Sequence, residues 1–190
     1  MTRLRIRDFG PIRGGCIEEG GWIDIRRVTV FIGNQGSGKS TVAKLFSALS
    51  WIEKAIVRGQ IKPDDLKTYN RFLKQLNFQR IDNYIKNTTE IEYAGKAYHL
   101  TYKNEKFRVR KNEGNGYLLP KIMYVPAERN FLGATDRPDK LKNLPSPLFA
   151  FLDEYDHARN RYSKGIELPI NNTRFEYDSL NKIAHISGGN

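Results

Sequence analysis

One glycine-rich segment, residues 33–41, combines residue types and spacing that point to a definite chemistry. Its sequence, GNQGSGKST, fits the pattern Gly-x-x-x-x-Gly-Lys-Ser/Thr, in which glycines let the main chain approach a polyphosphate closely. The main-chain N–H groups of such a loop point at the anion. The lysine adds a positive charge for the β- and γ-phosphates, and the hydroxyl that follows it is a ligand for Mg²⁺. The segment therefore predicts a loop that binds a nucleoside triphosphate.

Each residue of this loop has an expected role in binding ATP and Mg²⁺, the two predicted cofactors. Lys39 is the predicted catalytic residue, because its charge would stabilise the phosphoryl group during transfer. Ser40 is the predicted Mg²⁺ ligand, and Thr41 is expected to add a phosphate contact. The predicted nucleotide-binding residues are Gly33, Asn34, Gln35, Gly36, Ser37, Gly38, Lys39, Ser40 and Thr41. The alternative interpretation is a glycine-rich turn that only joins a strand to a helix.

The sequence on both sides of the loop predicts the elements that such a loop needs. Residues 28–32, VTVFI, are β-branched or aromatic, which is typical of a buried strand. After the loop, apolar residues recur at helical spacing, which predicts a helix from Lys39 to about Val57. A second apolar run, residues 122–125, predicts another strand of the core sheet. The apolar positions of the helix are Val42, Leu45, Phe46, Leu49, Ile52 and Ile56.

Other segments predict elements around this core. Residues 4–9 alternate apolar and charged side chains, which is typical of a strand with one buried face, and residues 16–19 are expected to return as a second strand. Residues 60–88 have helical spacing and predict a helical insertion. Residues 89–111 contain three alternating runs separated by turn residues, which predict an antiparallel β meander.

The last run of the meander, residues 106–110, carries basic residues on one predicted face. Lys106, Arg108 and Arg110 would lie opposite Phe107 and Val109. This basic edge is a candidate contact surface for nucleic acid or protein. A charged edge that discourages aggregation is the alternative.

The N-terminal part of the chain resembles the ABC-type ATPases of the SMC, RecF and OLD group. The resemblance rests on a strand that ends in Phe-Gly-Pro-Ile at 9–12, a short antiparallel return, and an apolar strand that leads into GNQGSGKST. Residues 125–129, VPAER, are similar to a motif of a subgroup found among predicted bacterial defence and DNA-handling proteins. This resemblance implies an α/β P-loop NTPase fold. Residues 1–190 would form a single, incomplete ATPase head with an antiparallel β lobe, a core sheet and helical insertions.

The resemblance also implies a function. It implies an ATP hydrolase whose heads form a homodimer or higher oligomer on binding ATP, serving DNA handling or antiviral defence with DNA and a nuclease or other effector as partners. The VPAER segment lies where a nucleotide-sensing loop is expected, and an active-site role for Glu128 or Arg129 and simple loop packing both stay open. The alternatives are the ATPase subunit of an ABC transporter, a P-loop kinase for a small molecule, and a nucleotide-gated scaffold without turnover.

Two segments near the C-terminus are similar to other motifs of the same families. Residues 149–154, FAFLDE, have the form of the strand that supplies an Mg²⁺-linked aspartate and a catalytic glutamate, yet helical spacing continues and predicts a helix over 145–165. Residues 175–177 and 183–186 predict two strands. The ending, SGGN at 187–190, is similar to the signature that contacts the γ-phosphate, or is a plain glycine turn. We expect the sequence to be a fragment that binds ATP without hydrolysing it, with its catalytic glutamate beyond Asn190.

Composition limits the class of protein. The 32 Lys and Arg residues against 21 Asp and Glu residues give a formal charge of +11, which favours an anionic partner, nucleic acid first and an acidic membrane surface second. No apolar run reaches the ~20 residues of a membrane span. The single cysteine, Cys16, excludes an internal disulfide and suits a cytoplasmic protein. Three isolated histidines predict no zinc site: His99, His157 and His185.

Overall fold

The computed structural model describes the chain as a mixed α/β structure that divides into two compact units, Met1–Tyr124 and Val125–Asn190. The residues that it describes are 1–15, 19–68, 71–114, 116–133, 140–162, 164–169, 172–178, 180–181 and 183–188. The larger unit contains the predicted loop and most of the buried apolar side chains.

The larger unit is built on an antiparallel sheet of five strands. The strands are β1 (Thr2–Arg7), β2 (Trp22–Ile25), β3 (Glu90–Ala94), β4 (Tyr98–Lys103) and β5 (Lys106–Lys111), in the spatial order β2-β1-β3-β4-β5. Every neighbouring pair is antiparallel. Alternating side chains therefore give the sheet one charged face and one apolar face. The predicted β meander is confirmed as β3, β4 and β5.

Helix α1 (Lys39–Val57) contributes its apolar side chains to the same core as the inner face of the sheet. Its bounds agree with the prediction. Two shorter helices, α2 (Pro63–Thr68) and α3 (Arg71–Phe78), precede a 3-10 turn at Asp82–Tyr84. Within the range 60–88, for which a helical insertion is predicted, the described helices therefore cover Pro63–Thr68 and Arg71–Phe78. The core residues that are least exposed include Leu4, Ile6, Phe9, Leu45, Leu49, Phe72, Leu76, Ile91, Tyr93 and Leu100.

The prediction of a core sheet from residues 28–32 and 122–125 is wrong for this structure. Neither segment forms a strand. The side chains of Val28, Val30 and Ile32 are 77%, 74% and 93% exposed. An apolar run becomes a buried strand only when a neighbouring strand satisfies its main-chain N–H and C=O groups, and no described strand pairs with either segment. The predicted return strand at 16–19 lies largely outside the described residues; the observed antiparallel partners of β1 are β2 and β3.

The smaller unit contains α4 (Arg129–Gly133), α5 (Ser146–Arg161) and a three-stranded antiparallel sheet. Its strands are β6 (Ile166–Glu167), β7 (Arg174–Asp178) and β8 (Ile183–Ser187). Residues 149–154 lie within α5, which confirms the predicted helix. Strands β7 and β8 confirm the two strands predicted at 175–177 and 183–186. Ser187 ends β8, Gly188 follows with φ 85°, and residues 189–190 lie outside the described part of the chain. None of the helices in the described residues has the length and apolar composition needed to cross a membrane.

Candidate functional site

The predicted loop ends at the start of α1 and leaves that end of the helix open. Residues 33–37 are exposed and have no regular secondary structure. Gly38 is the N-cap residue, with φ 94°, and no side chain caps the helix. The first turn contains no acidic residue. The N–H groups of this turn and the positive end of the helix dipole are therefore suited to an anion.

Glycine is required at position 38 for a reason that the loop sequence does not reveal. A Cβ atom built on Gly38 would lie 2.9 Å from Cγ1 of Ile12 and 3.3 Å from Cγ of Pro11. Both residues belong to a turn in which the N–H of Phe9 donates to the carbonyl of Ile12, and the N–H of Ile12 donates back, each at 2.9 Å. The turn at 9–12 thus packs directly against the end of the loop.

The side chain of Lys39 folds back over the loop that precedes it. Its ammonium donates hydrogen bonds to the carbonyls of Gly33 and Asn34, at 2.6 and 2.7 Å, and lies 3.4 Å from Oγ of Ser37. A turn bond from the N–H of Ser37 to the carbonyl of Asn34, at 3.3 Å, closes the same loop. The lysine charge is therefore held over the exposed glycine-rich segment, where it is accessible to an incoming anion.

The two hydroxyl residues after Lys39 differ in exposure. Ser40 is exposed, and its hydroxyl forms no hydrogen bond with any residue in the described part of the chain. Thr41 is 6% exposed, so its side chain is not open to a ligand in this conformation. The described residues include no group of three or more His, Cys, Asp or Glu side chains arranged to hold a metal. A Mg²⁺ ion bound here would take the Ser40 hydroxyl and complete its coordination with phosphate oxygens and water, which Mg²⁺ readily accepts.

The other end of α1 is fastened by a buried carboxylate that the sequence analysis did not single out. Glu53 is 2% exposed. Its Oε1 accepts hydrogen bonds from the N–H groups of Ala97 and Tyr98, at 2.7 and 3.0 Å, and its Oε2 accepts one from the Tyr93 hydroxyl at 2.8 Å. Burial and, secondly, the nearby charge of Glu53 raise the pKa of Tyr93. The signal was present in the sequence, because Glu53 lies four residues after Leu49 on the apolar stripe of the helix.

Segment 120–124 lies along α1 although it is not a strand. The ammonium of Lys54 donates to the carbonyl of Pro120 at 2.7 Å, and the ammonium of Lys44 lies 5.7 Å from the centre of the Tyr124 ring. The segment therefore runs from the C-terminal part of α1 towards its N-terminal part.

The VPAER segment forms a local turn. The N–H of Arg129 and its guanidinium both donate to the carbonyl of Pro126 at 3.3 Å, and the N–H of Phe131 donates to the carbonyl of Glu128 at 3.0 Å. These contacts are compatible with simple loop packing. An active-site role for Glu128 or Arg129 stays a hypothesis.

Comparisons with protein-family models, with curated proteins and with solved structures find no match to this chain.

Proposed function

We propose that residues 33–41 bind Mg²⁺-ATP and that the chain is the nucleotide-binding part of an ATP hydrolase. The observation that carries the proposal is the Lys39 ammonium, held over the carbonyls of Gly33 and Asn34 at the uncapped start of a 19-residue helix. A lysine in this position exchanges two carbonyl partners for phosphate oxygens, which are stronger, charged acceptors.

The surroundings of the loop also support an anionic ligand. The first turn of α1 lacks an acidic residue that would repel a phosphate group. A Cβ atom on Gly36 would meet nothing within 4 Å, so the main chain at this residue is open on that side. Magnesium bound to the phosphates and to Ser40 would supply charge neutralisation for phosphoryl transfer. Lys39 would orient the β- and γ-phosphates and offset the charge that develops on them.

The remainder of the proposal rests on the resemblance. The heads of the ATPases that this chain resembles work in pairs, so the proposal includes a homodimer or higher oligomer. It also includes a role in DNA handling or antiviral defence, and a nuclease or other effector as partner. Within the proposal, the 190-residue chain binds ATP without turning it over.

Calorimetric titration of the 190-residue chain with ATP and Mg²⁺ tests the proposal. We expect Lys39→Ala to weaken binding by roughly 10- to 100-fold, because it removes charged hydrogen bonds to the phosphates. The matched control is Lys44→Ala, which removes the same charge from the same helix away from the loop. Both variants should keep the thermal stability of the parent chain to within a few degrees. Equal weakening by the two variants, or no binding by the parent chain, would contradict the proposal.

Phosphate release in the same samples separates binding from turnover. We expect none from the parent chain. Phosphate release by the parent chain that Lys39→Ala abolishes would support ATP hydrolysis. It would contradict the expectation that this chain lacks a complete set of catalytic residues.

A further inference from the structure

The β5 edge of the five-stranded sheet has main-chain groups that pair with no described strand. Strand β5 pairs with β4, and no described strand lies on its other side. The N–H of Asn112 donates to the carbonyl of Ala97 at 2.8 Å, which continues the β4-β5 ladder by one pair. Hydrogen-bonded and non-bonded pairs alternate in an antiparallel ladder, so even-numbered residues of β5 bond to β4. Phe107, Val109 and Lys111 therefore direct their N–H and C=O groups away from the sheet.

On the charged face of the sheet, the basic side chains of β1 are paired with carboxylates, whereas those of β5 are not in the described part of the chain. Arg3, Arg5 and Arg7 of β1 form ion pairs with Asp24, Glu92 and Glu90, respectively. On β5, Lys106 and Arg108 are exposed and form no ion pair with a carboxylate among the described residues, and Arg110 contacts His99. The row at the edge is thus an exposed surface of positive charge.

The opposite face of the same edge opens into a groove. The groove has a volume of about 990 Å³ and lies between β5 and the helices α2 and α3. Its floor is aromatic, since the rings of Phe72 and Phe107 lie 4.5 Å apart, and those of Phe72 and Tyr102 lie 5.1 Å apart. Leu66, Leu73, Ile85 and Val109 contribute apolar surface to its walls, and the carboxylates of Asp82 and Glu105 also line it.

We infer that the edge of β5 binds an extended peptide, from a partner protein, that alternates acidic and apolar residues. Such a peptide would add as a sixth strand, with its main chain paired to Phe107, Val109 and Lys111. Because side chains alternate along a strand, its acidic residues would meet Lys106, Arg108 and Arg110 while its apolar residues enter the groove.

Charge and geometry favour this occupant over the two others that a basic edge suggests. A second copy of β5 would place two rows of cations against each other, which is the arrangement that keeps charged edges apart. Duplex DNA would use the cations and the outward N–H groups, but its phosphates have no donor for the outward carbonyls and no apolar side chain for the aromatic groove. The inference is independent of the nucleotide site.

Fluorescence anisotropy with a labelled peptide that alternates glutamate and valine provides the first measurement. Lys106→Gln combined with Arg108→Gln should weaken binding roughly fivefold to tenfold, as expected for two solvent-exposed charge pairs. Arg3→Gln combined with Arg7→Gln lowers the net charge equally on the same sheet, and we expect no change from it. A peptide of the same composition with its glutamates and valines in separate blocks is the control for sequence pattern.

Amide hydrogen exchange measured by NMR tests the strand pairing itself. On peptide binding, exchange should slow at Phe107, Val109 and Lys111, whose N–H groups face outward, and change little at Arg108, which is already bonded to β4. Val109→Pro should abolish binding and leave the sheet folded, because edge strands tolerate proline where the N–H faces solvent.

Three results would overturn the inference: equal binding of the blocked peptide, equal loss from both pairs of glutamine substitutions, or binding without slower exchange at these amides. Duplex DNA that binds the edge more tightly than the alternating peptide would assign the surface to nucleic acid instead.

Discussion

The two ends of helix α1 meet opposite conditions. At the C-terminal end, Glu53 is buried and accepts three hydrogen bonds, from β3, the β3-β4 turn and the first residue of β4, while at the N-terminal end the helix has no side-chain cap. Ser50 reinforces the buried end, with its hydroxyl 3.3 Å from that of Tyr93. At the open end, Lys39 bonds only to atoms of its own loop among the described residues.

The two ends of α1 therefore differ in role. Contacts at the C-terminal end hold the helix against the sheet, whereas the N-terminal end is open to a ligand. A buried carboxylate with every acceptor paired fixes the helix against the sheet, because breaking such a network exposes unpaired donors to an apolar interior. An uncapped helix start keeps its N–H groups available, because water is their only competitor. Substitutions at the two ends should therefore change different measurements.

The largest effect is expected at Glu53. Glu53→Ala should lower the free energy of unfolding by about 4 kcal/mol, because the N–H groups of Ala97 and Tyr98 and the hydroxyl of Tyr93 lose their acceptor. Urea denaturation measures this change. Glu53→Gln is the matched control and should cost much less, since an amide oxygen still accepts from the two N–H groups. A loss as large for glutamine as for alanine would show that the charge, and not the hydrogen bonding, holds the helix.

A smaller effect is expected at the N-terminal end of α1, where Gly38 packs against the turn at 9–12. Gly38→Ala should cost about 2 kcal/mol, because a left-handed conformation disfavours a side chain and the added methyl group meets Ile12 and Pro11. Gly36→Ala is the control: φ is also positive there, at 79°, but a Cβ would meet nothing within 4 Å. Equal destabilisation of the two variants would mean that packing against the turn does not matter.

The smallest effect concerns the buried end at high pH. The pKa of Tyr93 is raised in the folded chain, so above pH 10 the unfolded tyrosine ionises while the folded one stays protonated. The parent chain should lose about 1 kcal/mol of stability between pH 10 and 11 that Tyr93→Phe does not lose. Urea midpoints at several pH values measure the two slopes. Parallel slopes would show that Tyr93 ionises without unfolding.

Sequence patterns predicted local elements well and tertiary pairing less well. The bounds of α1, the meander and the helix predicted over 145–165 depend on the spacing of apolar residues, which is visible in the chain. The predicted strands at 28–32 and 122–125 failed because their composition is right for a buried strand but no described strand lies beside them. Composition specifies what a segment prefers, whereas burial depends on its neighbours.

The candidate site was likewise predictable from the sequence only in part. The order of residue types was enough to identify the loop at 33–41 and to place Lys39 at the start of a helix, because both depend on contacts between residues close in sequence. Folding alone brought the turn at 9–12 against Gly38, Glu53 under the β3-β4 turn, and an apolar groove beside the cations of β5. These contacts join residues far apart in the chain, and no periodicity in a single segment encodes which distant segment it will meet.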